Sequence, residues 1–202
     1  MIDKPLTARA PFTDLAFSSA PGQGIRVADR DGLAIATVLV RKGRLAALSQ
    51  RVCERFGIDL PHGPRRVEGD GVTFAGIGPE AWLATSEQHG NVFAAYLKEA
   101  LGDAVSVCDQ GSGYAILRMT GPKLRETLAK ILPIDLHPRA FAPGDVASSI
   151  ASHVGATLWR LQDAADGSPV FEIAVFRSLA GSFWHDLTAS AAEFGLVREE
   201  TI

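Results

Sequence analysis

The feature that most restricts the fold of this chain is an internal repeat. Gly32-Leu33-Ala34-Ile35 recurs as Gly113-Tyr114-Ala115-Ile116, and Ile58-Asp59-Leu60-Pro61 recurs as Ile134-Asp135-Leu136-His137-Pro138, the latter two each just after a helical pattern. An offset of roughly 80 residues is too long for a solenoid unit and fits a duplicated β-α-β-β-α-β module. Such a module places two helices on one face of a mainly antiparallel sheet.

The order of elements agrees with this reading. Leu33 to Val40 is an apolar, β-rich run expected of a strand covered on both faces. Leu45, Leu48, Val52 and Phe56 then recur at helical spacing, with Gly57 placed to end the helix in a left-handed conformation. Strands around Val72–Ala75 and Ala81–Thr85 flank the turn Gly76-Ile77-Gly78-Pro79 and read as a hairpin. Val92, Phe93, Tyr96, Leu97 and Leu101 form a second helical stripe, followed by a short strand over Val105–Cys108. The second half opens with a strand over Tyr114–Met119, then a helix with Thr120 as N-cap, Pro122 in its first turn and Leu124, Leu128, Ile131 and Leu132 on one face. Ile150–Leu161 and Val170–Phe176 read as strands, and a last helix from about Ser178 carries Phe183, Trp184, Leu187, Ala191 and Phe194. The expectation is an α+β fold of two ferredoxin-like halves, residues 32–110 and 111–202, forming one compact unit. Residues 1–31, rich in Pro and Gly and without a sustained period, read as an extended N-terminal arm; its Leu6, Phe12, Leu15 and Phe17 are too apolar for a solvated tail and call for a groove.

Charge and composition exclude several function classes. Twenty Lys plus Arg against twenty-three Asp plus Glu give a net charge of -3, with no basic stripe, which argues against a nucleic-acid partner. The apolar run Leu33–Val40 is far shorter than the roughly 20 residues that cross a bilayer, and Met1-Ile2-Asp3-Lys4-Pro5 does not open a signal peptide, so a cytoplasmic chain without a membrane partner is expected. Cys53 and Cys108 lie far apart with no nearby His pair, suggesting neither a disulfide framework nor a zinc site. Cys53, beside Val52 on the helix that carries Phe56, reads as a buried thiol.

Motifs for catalysis are missing. Gly76-x-Gly78-x-x-Ala81, with Glu99 downstream, satisfies the letters of a dinucleotide fingerprint, but Trp82-Leu83-Ala84 reads as the returning strand of a hairpin and not as a helix. No Gly-x-Ser-x-Gly, His-Glu-x-x-His or P-loop occurs. Among the histidines, His62 and His89 read as solvated and His153 and His185 as packing or surface residues. His137 stands out because the stiff loop His137-Pro138-Arg139-Ala140-Phe141-Ala142-Pro143-Gly144 presents an imidazole, a guanidinium and an aromatic ring together. Such a loop suits partner docking, an anionic ligand held by Arg139, or packing on its own sheet.

Several segments carry a family resemblance: Arg41-Lys42-Gly43-Arg44, Gly57-Ile58-Asp59-Leu60-Pro61, Gly78-Pro79-Glu80-Ala81-Trp82-Leu83, Leu117-Arg118-Met119-Thr120-Gly121-Pro122, Asp135-Leu136-His137-Pro138-Arg139-Ala140-Phe141 and Leu158-Trp159-Arg160-Leu161. From about Arg41 to Gly195 the chain resembles the gamma subunits of heterotetrameric sarcosine oxidase, Asp-Leu-His-Pro-Arg-x-Phe being the most specific stretch. The resemblance implies the fold of the aminomethyltransferase folate-binding domain. It also implies a place in a complex with alpha, beta and delta subunits that oxidatively demethylates sarcosine to glycine, with hydrogen peroxide and formaldehyde or methylene-tetrahydrofolate as products. FAD, FMN, NAD, zinc and tetrahydrofolate would then belong to the other subunits, with no cofactor bound by this chain and no catalytic residue carried over to it. A structural role follows, with Phe12, Phe17, His137, Arg139 and Phe141 as candidate subunit contacts. The alternatives are a stand-alone folate-binding protein or folate-dependent enzyme of the same fold, for which no Lys-Gly-Cys-x-x-Gly-type motif is found, and a homo-oligomeric interaction module.

Overall fold

A computed structural model of the chain describes residues 9–12, 15 and 24–199. The elements in chain order are β1 (Ile25–Asp29), β2 (Ala34–Val40), α1 (Leu45–Phe56), β3 (Arg66–Gly69), β4 (Val72–Gly78), β5 (Ala81–Ser86), α2 (Phe93–Leu101), β6 (Val105–Asp109), β7 (Tyr114–Thr120), α3 (Leu124–Leu128), β8 (Val146–Ala151), β9 (Val154–Arg160), β10 (Val170–Phe176), α4 (Ala180–Ala191) and β11 (Leu196–Arg198). They form a five-stranded sheet in the order β3-β4-β5-β2-β6 and a six-stranded sheet in the order β11-β1-β7-β10-β9-β8. In the first, β6, β2, β5 and β4 with α1 and α2 make a ferredoxin-like unit, extended at its edge by β3. In the second, β7, β9, β10 and β11 with α3 and α4 repeat it, extended by β8.

The alternation of each strand explains the layering. Ala34, Ala36 and Val38 of β2 join Leu48, Val52 and Phe56 of α1 and Phe93, Leu97 and Leu101 of α2 in one core. Ala115, Leu117 and Met119 of β7 join Phe183, Trp184 and Leu187 of α4 in another. The opposite faces supply Ile35, Ala75, Leu83, Ile116, Trp159 and Ala174 to a third cluster, which glues the two sheets together. The result is four layers, helix, sheet, sheet, helix, as the duplicated α+β reading requires.

The largest departure from expectation is β1. Residues 25–29 lie within the stretch read as an arm, yet they are a strand paired with β7 on one side and, in parallel, with β11 on the other. Its counterpart eighty positions later, β6, pairs with β2. β6 closes the sheet of its own half, whereas β1 leaves the first half to complete the sheet of the second. Matching bonds follow the two strands: Arg30 N donates to Ile116 O at 3.0 Å, and Gln110 N donates to Ile35 O at 2.8 Å.

Other expectations are corrected locally. Ile150–Leu161 is not one strand but the hairpin β8–β9, turning at Ser152, which takes a φ of 53° and donates its N–H to Ile131 O at 2.7 Å. Thr120 is the last residue of β7, not a helix cap; Lys123 sits at that cap without a side-chain bond, and α3 is a single short segment beyond which Ile131 and Leu132 are still buried. Strand β4 runs on through a bulge between Gly76 and Gly78, so the hairpin turns at Pro79-Glu80. Val92 precedes α2 and is 64% exposed instead of joining its stripe. Cys53 is exposed, because Leu48, Val52 and Phe56 take the buried face of α1. Among the described residues no helix is long and apolar enough to cross a membrane.

Gly76 is required by a close approach: a Cβ there would lie 1.9 Å from Gly63 O. Gly76→Ala is therefore expected to lower thermal stability by about 2 kcal/mol in a denaturation experiment, whereas Gly32→Ala, with open space around it but a φ of 82°, should cost about 1 kcal/mol.

Candidate functional site

The loop that stood out in sequence is fixed at both ends by buried anchors. Leu136 and Phe141 are buried in the core of the second half, and the Phe141 ring lies 6.1 Å from that of Phe171. Two arginines hold the backbone at these anchors. Arg125 Nε donates to Leu136 O at 3.0 Å, and the buried Arg160 donates from Nη1 to Phe141 O at 2.8 Å and from Nη2 to Asp163 at 2.7 Å. Burial and the neighbouring Arg160 guanidinium pull the Arg125 pKa below its ordinary value. Between the anchors the chain turns back on itself: Asp135 Oδ1 accepts from His137 N at 2.9 Å, His137 Nδ1 from Arg139 N at 3.2 Å, and His137 O from both Ala140 N and Phe141 N. Residues 137–140 are exposed. A tight, pre-ordered tip of this kind offers His137 and Arg139 to a partner with little ordering cost.

The other candidate contacts fall differently. Phe12 is fully buried, its ring 6.0 Å from that of Trp184, and its carbonyl accepts from Arg198 Nη1 at 2.7 Å. Phe141 is an anchor of the tip, not part of its surface. Both rings are consumed by the chain's own core because the second half has a groove beside α4 and a gap above Phe171 to fill. Phe17 lies outside the described residues. Arg198 also holds Asp29 at 2.5 Å; burial raises the Asp29 pKa and the guanidinium draws it back down.

Between the sheets lies a charged network that sequence reasoning missed. Glu172 of β10 is buried, and both its oxygens are occupied: Oε1 lies 2.9 Å from Arg30 Nε and 2.9 Å from Arg118 Nε, and Oε2 accepts from Trp159 Nε1 at 2.7 Å. Arg30 also pairs with Glu87, whose carboxyl pKa is lowered by that hydrogen bond and charge. No spacing in the sequence links these residues: Arg118, Trp159 and Glu172 meet through the register of β7, β9 and β10, and Arg30 joins them because β1 crosses to the second sheet. His89, expected to be solvated, is half-buried: its ring stacks 4.1 Å from that of Tyr96, and Nδ1 lies 2.7 Å from Ser86 Oγ.

Among the described residues no group of three or more His, Cys, Asp or Glu could hold a metal ion. The polar cavity beside Arg30, Arg118 and Glu172 has about 150 Å³, below the roughly 300–1,000 Å³ of small-molecule sites, and its central carboxylate is already satisfied by the chain's own side chains.

Comparison with known proteins places this geometry. The family model described as "Sarcosine oxidase, gamma subunit family" matches residues 42–193. The chain is 32% identical over 168 residues to the sarcosine oxidase subunit gamma of Corynebacterium sp. (strain P-1), covering 79% of this chain and 80% of that one. It is 29% identical over 164 residues to the subunit of the same description from Arthrobacter sp., with the same shares covered. Among solved structures, a chain of the heterotetrameric sarcosine oxidase from Corynebacterium sp. U-96, in complex with pyrrole 2-carboxylate, superposes with a TM-score of 0.77 at 23% identity, covering 93% of this chain and 96% of that one. The glycine cleavage system aminomethyltransferase T from Bartonella henselae superposes with a TM-score of 0.62 at 14% identity over 89% of this chain and 48% of that one. The fold is thus that of the aminomethyltransferase folate-binding domain.

Removing the Glu172 charge leaves Arg30 and Arg118 facing each other in the interior. Glu172→Gln is expected to lower unfolding stability by roughly 3 kcal/mol in a urea titration, and the double change Glu172→Gln with Arg118→Met to recover part of that loss.

Proposed function

The chain belongs to the sarcosine oxidase gamma subunit family, and from that premise we propose that it is a non-catalytic structural subunit of a heterotetrameric sarcosine oxidase. Its partners are the alpha, beta and delta chains of a cytoplasmic complex that oxidatively demethylates sarcosine to glycine, releasing hydrogen peroxide and formaldehyde or passing the one-carbon unit on as methylene-tetrahydrofolate. FAD, FMN, NAD, zinc and tetrahydrofolate are held by those partners. The observation that carries this reading is the match along residues 42–193, which runs through the loop whose exposed tip is His137-Pro138-Arg139-Ala140. The chain contributes surface, and a subunit that binds only the folded form of its partners stabilises them by mass action.

The docking proposal rests on the rigid tip. Arg139 is the exposed cation there, and His137 N and Arg139 N are already bonded within the turn, so a partner meets the side chains and not a floppy backbone. Phe141 anchors the tip from beneath. The stand-alone folate protein is favoured only by the superposition on aminomethyltransferase T, and a saturable tetrahydrofolate titration of the isolated chain would support it.

Co-expression with the three partner chains tests the proposal. Arg139→Glu is expected to weaken assembly about tenfold while leaving the melting temperature of the isolated chain unchanged. Full assembly and turnover with both His137→Ala and Arg139→Glu would remove the tip from the interface.

A further inference from the structure

The two halves correspond strand by strand, and where they differ the first half contains a hole. Gly76 N donates to Arg65 O at 3.0 Å, and Arg160 N donates to Asp145 O at 3.0 Å, so Gly76 corresponds to Arg160 and Arg65 to Asp145. Trp82, paired with Val38, corresponds to Phe171, paired with Met119. From the repeated Asp-Leu at Asp59-Leu60 and Asp135-Leu136 to this Arg65 and Asp145 pair, the second-half loop is four residues longer. The added length carries the His137–Ala140 tip and delivers Phe141 onto Phe171, where Arg160 seals it by bonding its carbonyl.

In the first half neither plug exists. Gly76 stands where Arg160 would, Gly63 O blocks any side chain there at 1.9 Å, and the shorter loop brings no aromatic ring to Trp82, only the buried Pro61, whose carbonyl accepts from Trp82 Nε1 at 2.9 Å. What remains beside Trp82 is a cavity of about 410 Å³ walled by Leu45, Pro61, Ile77 and Pro79. Its volume lies within the range of sites that enclose a foreign group. Glu80, exposed on its rim with a φ of 53°, forms no ion pair among the described residues. The second half reaches the cavity through β8 and the residues before it: Arg65 and Asp145 form an isolated bridge, Val146 N donates to Pro64 O at 2.9 Å, and Ser148 of β8 lines the cavity.

We propose that the cavity beside Trp82 receives an aromatic side chain of a partner subunit, carried on an extended segment with a Lys or Arg next to it. The ring does for Trp82 what Phe141 does for Phe171, and the cation pairs with Glu80. This rests on the subunit reading above and adds to it a second contact, on the first half. An aromatic anchor seated in a preformed pocket is the kind of contact that dominates interface energetics.

The test fills the hole from within. A Cβ at Gly78 would meet only Ala81 Cβ, at 4.0 Å, so Gly78→Phe can place a ring of the chain's own at the cavity. In the co-expressed complex this variant is expected to assemble at least about tenfold more weakly, with the isolated chain as stable as before, and Glu80→Lys to weaken assembly in the same direction. As a measurement that does not depend on how Gly78→Phe folds, His62 at the cavity rim is replaced by photo-reactive benzoylphenylalanine, and the crosslink in the intact complex is mapped. A crosslink to a partner segment holding an aromatic residue beside a Lys or Arg supports the proposal. Unweakened assembly of Glu80→Lys and a His62 position that yields no partner crosslink, in a complex that does form, overturn the cavity contact and leave the subunit reading standing. A wild-type chain that never assembles with the partners overturns both.

Discussion

The crossing of β1 from the N-terminal side of the first half into the second sheet sets the geometry on which the inter-sheet face depends. β1 carries its backbone hydrogen bonds to β7 and β11, so the second sheet is incomplete without the segment that introduces the first. The crossing delivers Arg30 to the space between the sheets, where Arg30 and Arg118 meet Glu172. A buried carboxylate is tolerated only with such partners in place. Chain connectivity, sheet order and the charged network are therefore coupled: displacing β1 would open a sheet edge and take from the buried Glu172 one of its two arginines in the same event.

Much of this was legible in the sequence and part was not, for physical reasons. The helical stripes Leu48-Val52-Phe56 and Phe183-Trp184-Leu187 and the αL glycine at Gly57 are local signals, and they landed where periodicity placed them. The repeated Gly-x-Ala-Ile exposed the duplication. What failed was non-local or unmarked. Ile25–Asp29 follows a Pro- and Gly-containing stretch and has no alternation that points to a distant partner strand. The β8–β9 turn at Ser152-His153 contains neither Gly nor Pro, so it left no signature in an otherwise continuous β-rich run. The three-residue β11 lies below any useful window. At the candidate site, the stiff tip was readable from Pro138 and its neighbours, whereas the inward turn of Phe12 and Phe141 depends on gaps that only the packed second half creates.

Duplication followed by divergence of one loop accounts for the functional asymmetry. The longer loop of the second half seals its own core with Phe141 and pushes His137–Ala140 outward; the shorter loop of the first half leaves Trp82 flanked by open space. One half is a closed body with a projecting tip, the other an open body with a recess, and the Arg65–Asp145 bridge joins the two halves.

The measurement that tests this account most directly is recovery of the tagged chain from its native extract under gentle conditions, with intact-mass analysis and the flavin absorbance of the eluate. The account predicts a yellow complex of four different chains that produces hydrogen peroxide when given sarcosine. A colourless chain recovered alone, or only with copies of itself, under conditions that keep large complexes together would contradict it.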